Sequence, residues 1–201
     1  MSLIIDNISY QINQKAIINN FGICLKPSSI LIIKGNNGSG KTTILELIAG
    51  LKKPNSGHII YQDCNIKDLG GHYLSQISYI GHQDFFKPNL TIQENLEFYS
   101  KFSDTTMLIK AALKYFSLET LADIKISNLS KGQKKKAHLA KLLCYPSNIW
   151  LLDEPGVNLD QEGKKQLFNL ISTKTCDDSI IILSTHDDFF DKLAPNSVIL
   201  S

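Results

Sequence analysis

The sequence contains no arginine, and all 21 of its basic residues are lysine. A phosphate or a carboxylate can therefore be contacted only by lysine side chains, backbone N–H groups or helix termini. The absence also excludes an arginine finger supplied by the chain itself. Because the formal net charge is only +2, the bulk charge gives no reason to expect binding to nucleic acid or to an anionic membrane surface.

Long apolar runs are also missing. The longest, such as residues 30–33 and 180–183, span four residues, whereas a membrane-spanning helix needs about 20. The opening residues, MSLIIDNISYQ, lack a basic start followed by a long apolar stretch, so we expect no signal peptide. We therefore expect a chain that does not cross a bilayer.

Cysteine and histidine are few and scattered. The four cysteines lie at positions 24, 64, 144 and 176 and form no CxxC pair. The histidines at positions 58, 72, 82 and 138 form no HxxxH or Cys/His cluster. We therefore expect free thiols in a reducing compartment and no structural metal site.

Apolar residues make up 43% of the 201 residues and charged residues 20%, which is typical of one folded domain. Short β-rich runs alternate with helical patterns, as in an α/β fold with a mainly parallel sheet. The first 30 residues and residues 57–63 resemble antiparallel strands instead. A helical insertion is predicted at about 84–145, where residues 91–94 form a capping box that opens a helix. We predict a single domain, 1–201, with these three parts.

A glycine-rich loop carries the most specific pattern. Residues 35–42 read GNNGSGKT, a complete GxxxxGK[ST] motif between a predicted strand at 30–33 and a predicted helix at 42–49. Gly35, Gly38 and Gly40 allow the backbone N–H groups to curl around phosphate oxygens at the positive end of the helix dipole. The candidate nucleotide-binding residues of this loop are Gly35, Asn36, Asn37, Gly38, Ser39, Gly40, Lys41, Thr42 and Thr43.

Individual roles follow from side-chain chemistry. Lys41 can reach the β- and γ-phosphates of a nucleotide, and the Thr42 hydroxyl can bind Mg²⁺. Thr43 is a candidate contact to the α-phosphate. The alternative is a glycine-rich turn without a ligand, and the flanking strand and helix argue against it.

Two acids end an apolar strand at residues 148–152. Asp153 is placed to hold the Mg²⁺ shell, since ligands collect at the carboxyl ends of strands in open α/β sheets. Glu154 is placed to polarise an attacking water as general base. The alternative, two solvated acids opening a turn at Pro155, is weakened by the phosphate loop.

Further motifs identify a family. Residues 129–133 read LSKGQ and resemble the LSGGQ signature of ABC ATPases; Gln83, Asp160 and His186 match the Q-loop, D-loop and switch positions of that family. The order and spacing extend over nearly the whole chain. The resemblance implies the P-loop NTPase fold of ABC ATPases, ATP and Mg²⁺ as ligands, and ATP hydrolysis coupled to transport.

The resemblance also implies how the site is assembled. Two copies form a homodimer, in which Ser130, Gly132 and Gln133 of one copy face the γ-phosphate held by the other, with Asp160 nearby. Gln83 would contact the Mg²⁺ and His186 would orient Glu154. Integral membrane permease subunits would dock beside the Q-loop.

Several positions depart from the family pattern. Lys131 replaces a small residue and either attracts phosphate or hinders close approach. Lysines at 134–136 replace arginines, and we expect a solvated helix face there. The adenine-stacking aromatic is missing: its position holds Ile12, and Tyr10 on the same strand face is the possible substitute.

One segment is more particular. Residues 79–83 read YIGHQ and resemble the ATP-binding subunits of the haem exporter in cytochrome c maturation. This resemblance implies a peripheral subunit on the cytoplasmic face of the inner membrane, with no direct haem binding, since no residues here recognise haem. Phe85 and Phe86 either contact a membrane partner or pack within the helical region.

Three alternatives remain. The chain could serve an ABC transporter for another substrate, such as a lipid, drug or metal chelate. A soluble ABC protein acting on nucleic acid or ribosomes generally has tandem cassettes or long coiled coils, which this sequence lacks, so we expect no nucleic-acid partner. A kinase or GTPase would share the phosphate loop but not the signature or the switch histidine.

Overall fold

The structure is a computed structural model that describes residues 2–81, 86–101, 105–194 and 197–200. Short 3-10 turns lie at Thr106–Leu108, Glu119–Leu121, Ile126–Asn128 and Asp188–Leu193. The strands and α-helices, in chain order, are β1 (Leu3–Ile12), β2 (Lys15–Leu25), β3 (Ile30–Gly35), α1 (Lys41–Ile48), β4 (Ser56–Tyr61), β5 (Cys64–Asn65), α2 (Ile66–Leu69), α3 (Gly71–Ser75), β6 (Ile77–Ile80), α4 (Ile92–Ser100), α5 (Ile109–Tyr115), α6 (Lys131–Cys144), β7 (Ile149–Asp153), α7 (Gln161–Thr175), β8 (Ile180–Ser184) and β9 (Ser197–Leu200).

The chain divides into two compact units. The first comprises Met1–Gly81, Ser147–Glu154 and Ile171–Ser201, and the second comprises His82–Pro146 and Pro155–Leu170. The α/β class with parallel and antiparallel sheets is confirmed. The description as one domain with a helical insertion at about 84–145 stays a prediction.

Two sheets form the first unit. Five parallel strands lie in the order β6-β7-β8-β3-β9, and four antiparallel strands lie in the order β2-β1-β4-β5. Every residue of β7 and β8 is buried. This burial explains why their sequences are continuous apolar runs rather than alternating ones. The predicted strands at 30–33, 148–152 and 179–183 are confirmed as β3, β7 and β8.

Helix α1 contributes buried apolar residues to the core of the first unit. It begins after Gly40, which has a left-handed backbone, and the chain turns away at Gly50, where φ is +72°. Its apolar residues pack in one cluster with both sheets. The fully buried members on this helix are Ile44, Leu45, Leu47 and Ile48.

The second unit is helical. Thr91 and Glu94 form the predicted capping box at the start of α4, with Thr91 Oγ1 accepting from the Glu94 amide at 3.1 Å. Phe86 is buried, stacks on Tyr99 and meets the His138 ring edge-on. Of the two alternatives for this aromatic, packing within the helical region is therefore correct. Phe85 lies outside the described residues.

Some elements were not predicted. Local sequence patterns are weak in the short strands β6 and β9 and in the helix α7. The two strands also pair with β7 and β3, which lie far away in the sequence. Within the described ranges, none of the helices combines the length and the hydropathy that crossing a membrane requires.

A stability prediction follows from Gly57 in β4, where the chain passes a bulge in β1. Its φ is +80°, and an added Cβ would lie 2.4 Å from the Asp6 carbonyl oxygen and 2.5 Å from that of Asn7. Gly50 has a similar φ of +72° but open space around the Cβ position. We expect Gly50→Ala to cost about 1 kcal/mol from backbone strain, and Gly57→Ala about 1–3 kcal/mol more from the clash.

The measurement is the free energy of unfolding from denaturant titrations of both variants without nucleotide. Equal losses for the two alanine variants would contradict the clash at Gly57.

Candidate active site

The glycine loop joins β3 to α1 at the carboxyl end of the parallel sheet. Gly40 has a φ of +96°, and a Cβ there would approach Ile18 Cδ1 to 2.6 Å, so the tight turn requires glycine. Asn36 accepts a turn hydrogen bond from the Ser39 amide at 3.1 Å. Ser39 Oγ is buried and has no hydrogen-bond partner among the described residues. The loop therefore has backbone groups and one unpaired hydroxyl, that of Ser39, available to bind a ligand.

Lys41 is held inside this loop. Its ammonium donates to the carbonyl oxygens of Gly35 (2.7 Å) and Asn36 (3.1 Å), and it lies 2.9 Å from His186 Nε2. Only 7% of Lys41 is exposed. The positive charge is therefore concentrated at the centre of the loop.

Three hydroxyl and carboxyl groups link the loop to two strand ends. Thr42 Oγ1 donates to Asp153 Oδ2 at 2.8 Å, and Ser184 Oγ donates to Asp153 Oδ1 at 2.5 Å. Asp153 is 2% exposed. A hydroxyl and a carboxylate in contact are the oxygen ligands that Mg²⁺ prefers. Thr42 and Asp153 therefore fit the predicted Mg²⁺ site.

Glu154 is the next residue of the chain, and its backbone is unusual. Its φ is +45°, and its amide donates to both the carbonyl oxygen (3.1 Å) and Oγ (3.0 Å) of Ser184. Glu154 Oε1 is buried without a well-formed hydrogen bond and lies 3.4 Å from His186 Nε2. The carboxylate therefore has an unused acceptor beside the histidine.

The first unit thus brings together most of the predicted catalytic groups. His186 lies beside both Lys41 and Glu154, and the hydrogen bond to Thr42 brings Asp153 to the same strand ends. Gln83 lies outside the described residues. The roles of all these side chains stay predictions.

Sequence reasoning missed two residues at this site. Ser184 positions both acids, but a serine at a strand end carries no distinctive signal. Tyr79 is the other: burial first, and then the negative charges of Asp153 and Glu46, raise the pKa of its phenol. Tyr79 lies on β6, and only the strand order β6-β7 places it beside Asp153.

A cavity of about 280 Å³ lies next to the loop. The residues that line it include neither of the two considered for adenine stacking. Tyr10 is partly buried in the core, with its ring centroid 5.6 Å from the Lys52 ammonium, and Ile12 is 44% exposed. The contribution of β9 could not be foreseen from local sequence. The cavity is lined by Ala16, Ile17, Ile18, Asn19, Phe21, Ser39, Ile199 and Leu200.

The signature residues lie in the second unit, at the start of α6. Ser130 Oγ accepts from the Gln133 amide at 3.2 Å, and Gln133 Oε1 accepts from the Ser130 amide at 2.9 Å. This reciprocal pair is a capping box that fixes the first turn of a 14-residue helix. A side chain at Gly132 would meet the Asn158 carbonyl oxygen at 2.9 Å, so the position requires a small residue.

Asp160 lies in the same unit and is well anchored. Its Oδ1 accepts from the Gly163 amide at 2.8 Å and lies 3.0 Å from the Lys136 ammonium. The bond from Gly163, followed by Lys136, lowers the pKa of Asp160. The expectation of a solvated lysine face is therefore wrong for Lys136, whose side chain is 17% exposed.

Comparison with known proteins places this geometry in a family. The family model described as "ABC transporter" matches residues 18–157. The cytochrome c biogenesis ATP-binding export protein CcmA of Rickettsia conorii is 41% identical over 83% of this chain and 86% of its own length.

Solved structures give the same fold. An ATP-binding subunit of an ABC transporter superposes with a TM-score of 0.91 at 22% identity, covering 100% of this chain and 86% of that one. The ATP-binding cassette MJ0796, in a dimeric post-hydrolysis state bound to ADP and phosphate, superposes with a TM-score of 0.88 at 24% identity, covering 99% of this chain and 94% of that one. The chain belongs to the ABC transporter family of ATPases and is related within it to the CcmA-type proteins of cytochrome c biogenesis.

Proposed function

We propose that this chain is the ATP-hydrolysing subunit of an exporter for cytochrome c biogenesis, with haem as the cargo. For hydrolysis, the supporting observation is the contact between Thr42 and Asp153, which joins the phosphate loop to the acidic strand end beside Glu154. For the biological setting, the support is the similarity to CcmA over most of the chain.

Binding of ATP rests on the glycine loop. Its inward N–H groups and the first turn of α1 surround the phosphates, and Lys41 supplies the positive charge. The candidate contacts are Gly35, Asn36, Asn37, Gly38, Ser39, Gly40, Lys41, Thr42 and Thr43. Since Lys41 is 7% exposed, its charge acts in a partly desolvated site, where charge interactions are stronger than in water.

Thr42 and Asp153 would hold Mg²⁺, together with Gln83. When bound, Mg²⁺ neutralises charge on the β- and γ-phosphate oxygens. The chain's own contribution is to keep the two oxygen ligands in contact, since Ser184 fixes the second oxygen of Asp153. A supporting partner of this kind is commonly needed for metal affinity and turnover.

Glu154 acts as the general base. Its buried Oε1 has an acceptor lone pair available and takes a proton from the attacking water. As that water bonds to the γ-phosphorus, the bond from the γ-phosphorus to the bridging oxygen breaks, and this oxygen leaves with ADP. His186, 3.4 Å from the carboxylate and 2.9 Å from the Lys41 ammonium, orients the base relative to the phosphate. Catalysis is then mainly positioning and charge stabilisation.

A second copy completes each site. The MJ0796 cassette is described as dimeric with ADP and phosphate. We infer the same assembly here, with Ser130, Gly132 and Gln133 of one copy facing the γ-phosphate on the other and Asp160 nearby. The start of α6 is preorganised for an anion by its capping box.

The homodimer would work with integral membrane permease subunits on the cytoplasmic face of the inner membrane. Gln83 would link the Mg²⁺ site to these partners. Substrate choice would belong to the partners, because we expect no direct haem binding by this chain and no nucleic-acid partner.

The first prediction concerns the dimer. Glu154→Gln removes the base but keeps the side-chain shape and the loop, so ATP should bind without being hydrolysed and hold two copies together. Light scattering at saturating Mg-ATP should report twice the monomer mass, whereas the exposed Glu162→Gln should behave as the unchanged chain. A Glu154→Gln variant that stays monomeric under these conditions would contradict the shared site.

The second prediction concerns Ser184. Ser184→Ala removes the hydroxyl that bonds Asp153 and Glu154, so turnover should fall about 10- to 100-fold and more Mg²⁺ should be needed. Ser179→Ala is the matched control, because this serine is equally buried but its hydroxyl has no partner among the described residues. Steady-state ATPase assays over a Mg²⁺ series measure both. Equal activity of the two variants would exclude a positioning role for Ser184.

The third prediction tests the biological setting. The complex purified in detergent from its native membrane should contain multi-spanning subunits, and added haem should raise its ATP turnover. Lipids or porphyrin-free metal chelates serve as controls. Stimulation by one of these instead of haem would contradict haem as the cargo. Co-purification of ribosomal proteins or nucleic acid as the stable partner would contradict a function in transport.

A further inference from the structure

We propose that Lys34 is a positioning residue for His186, acting through an ion-pair clamp on the segment that follows the histidine. The inference rests on the proposed ATP hydrolysis and adds to it a residue that touches neither nucleotide nor metal. The clamp consists of Lys34, Asp188 and Asp191.

The contacts of Lys34 are specific. Its ammonium lies 2.6 Å from Asp191 Oδ1 and donates to Asp191 Oδ2 at 2.7 Å and to Asp188 Oδ1 at 3.1 Å. The Lys34 side chain is 22% exposed. The hydrogen bond to Asp191 raises the pKa of Lys34, so the ammonium stays charged under physiological conditions. Both carboxylates belong to the 3-10 turn Asp188–Leu193.

The strand order explains why a residue of β3 meets this turn. In the sheet β3 lies between β8 and β9. The chain leaving β8 must therefore pass β3 before it can form β9, and His186 and the 3-10 turn lie on that passage. Lys34, near the end of β3, is the charged residue on the strand that is being crossed.

Other anchors fix the passage on both sides of the histidine. The Thr185 amide donates to the Ile33 carbonyl oxygen at 3.2 Å, and Phe190 is fully buried. The clamp neutralises two acids of this segment, Asp188 and Asp191. Without Lys34, the segment behind His186 would lose this link to the end of β3.

The clamp also has a direct connection to the phosphate loop. Lys34 immediately precedes Gly35, whose carbonyl oxygen accepts from Lys41, and Lys41 in turn contacts His186. One residue therefore joins the entry of the loop to the segment behind the switch histidine. Surface ion pairs contribute little to folding stability, so we expect the effect of losing Lys34 to appear in turnover.

The test compares Lys34→Gln with the unchanged chain in the complex purified from its native membrane. We expect kcat to fall about tenfold, because a small displacement of a catalytic group has effects of this order or larger. KM and the dissociation constant for a fluorescent ATP analogue should change less than about twofold. Lys34→Arg keeps the charge and should restore most of the turnover, and Lys192→Gln, on the same 3-10 turn, is the control.

A second variant keeps the test decisive if Lys34→Gln folds poorly. The double substitution Asp188→Asn with Asp191→Asn removes the other side of the clamp and should give the same loss of kcat. Adding Lys34→Gln to it should cause no further loss, since residues of one unit are not additive.

The outcomes separate the two proposals. Absence of ATP binding and hydrolysis by the unchanged complex would overturn the proposed function. Normal turnover in the unchanged complex together with normal turnover in Lys34→Gln would overturn the clamp alone. A loss that appears in KM and nucleotide affinity rather than kcat, or that Lys34→Arg does not restore, would also refute positioning of His186.

Discussion

The site depends on a buried carboxylate that has no cationic partner within hydrogen-bonding distance among the described residues. Asp153 is 2% exposed, and its two oxygens accept from the hydroxyls of Thr42 and Ser184. Burying a charge is costly unless hydrogen bonds replace its hydration. Two hydroxyls supply those bonds and leave the negative charge uncancelled, so the carboxylate remains attractive to a cation. The same bonds hold the start of α1 against the ends of β7 and β8.

What could be predicted from the sequence was local. The phosphate loop, the strand ending in Asp153 and Glu154, and the capping box at Thr91 are each encoded within a few residues, and each lies where the pattern indicated. The buried strands were equally visible, because parallel strands covered on both faces are continuous apolar runs.

What could not be predicted depends on strand order. Ser184, Tyr79 and Lys34 reach the site from three different strands, and no local pattern says that β8 lies between β7 and β3. Phe86 and Lys136 illustrate a second limit, since composition alone does not distinguish an exposed side chain from one that packs or pairs within its own unit.

Without arginine, the candidate phosphate-binding segments of the two compact units are ordered by different contacts. In the first, Lys41 concentrates its charge by donating to its own loop. In the second, the signature turn has no charged side-chain contact in its capping box, and its order comes from neutral bonds between Ser130 and Gln133. Lysine, unlike arginine, binds anions as a point charge without a planar fork. We therefore expect geometric selectivity for phosphate to come from the backbone N–H groups.

The positive φ of Glu154 determines which residues the position accepts. The left-handed backbone at +45° is held by two bonds from its amide to Ser184, and such a conformation disfavours branched side chains. Valine, isoleucine and threonine are thus disfavoured by the main chain before their chemistry matters, whereas asparagine and aspartate are tolerated. A substitution at this position therefore has two separate effects, strain in the left-handed backbone and loss of the carboxylate. The activities of a set of replacements would reflect both effects together.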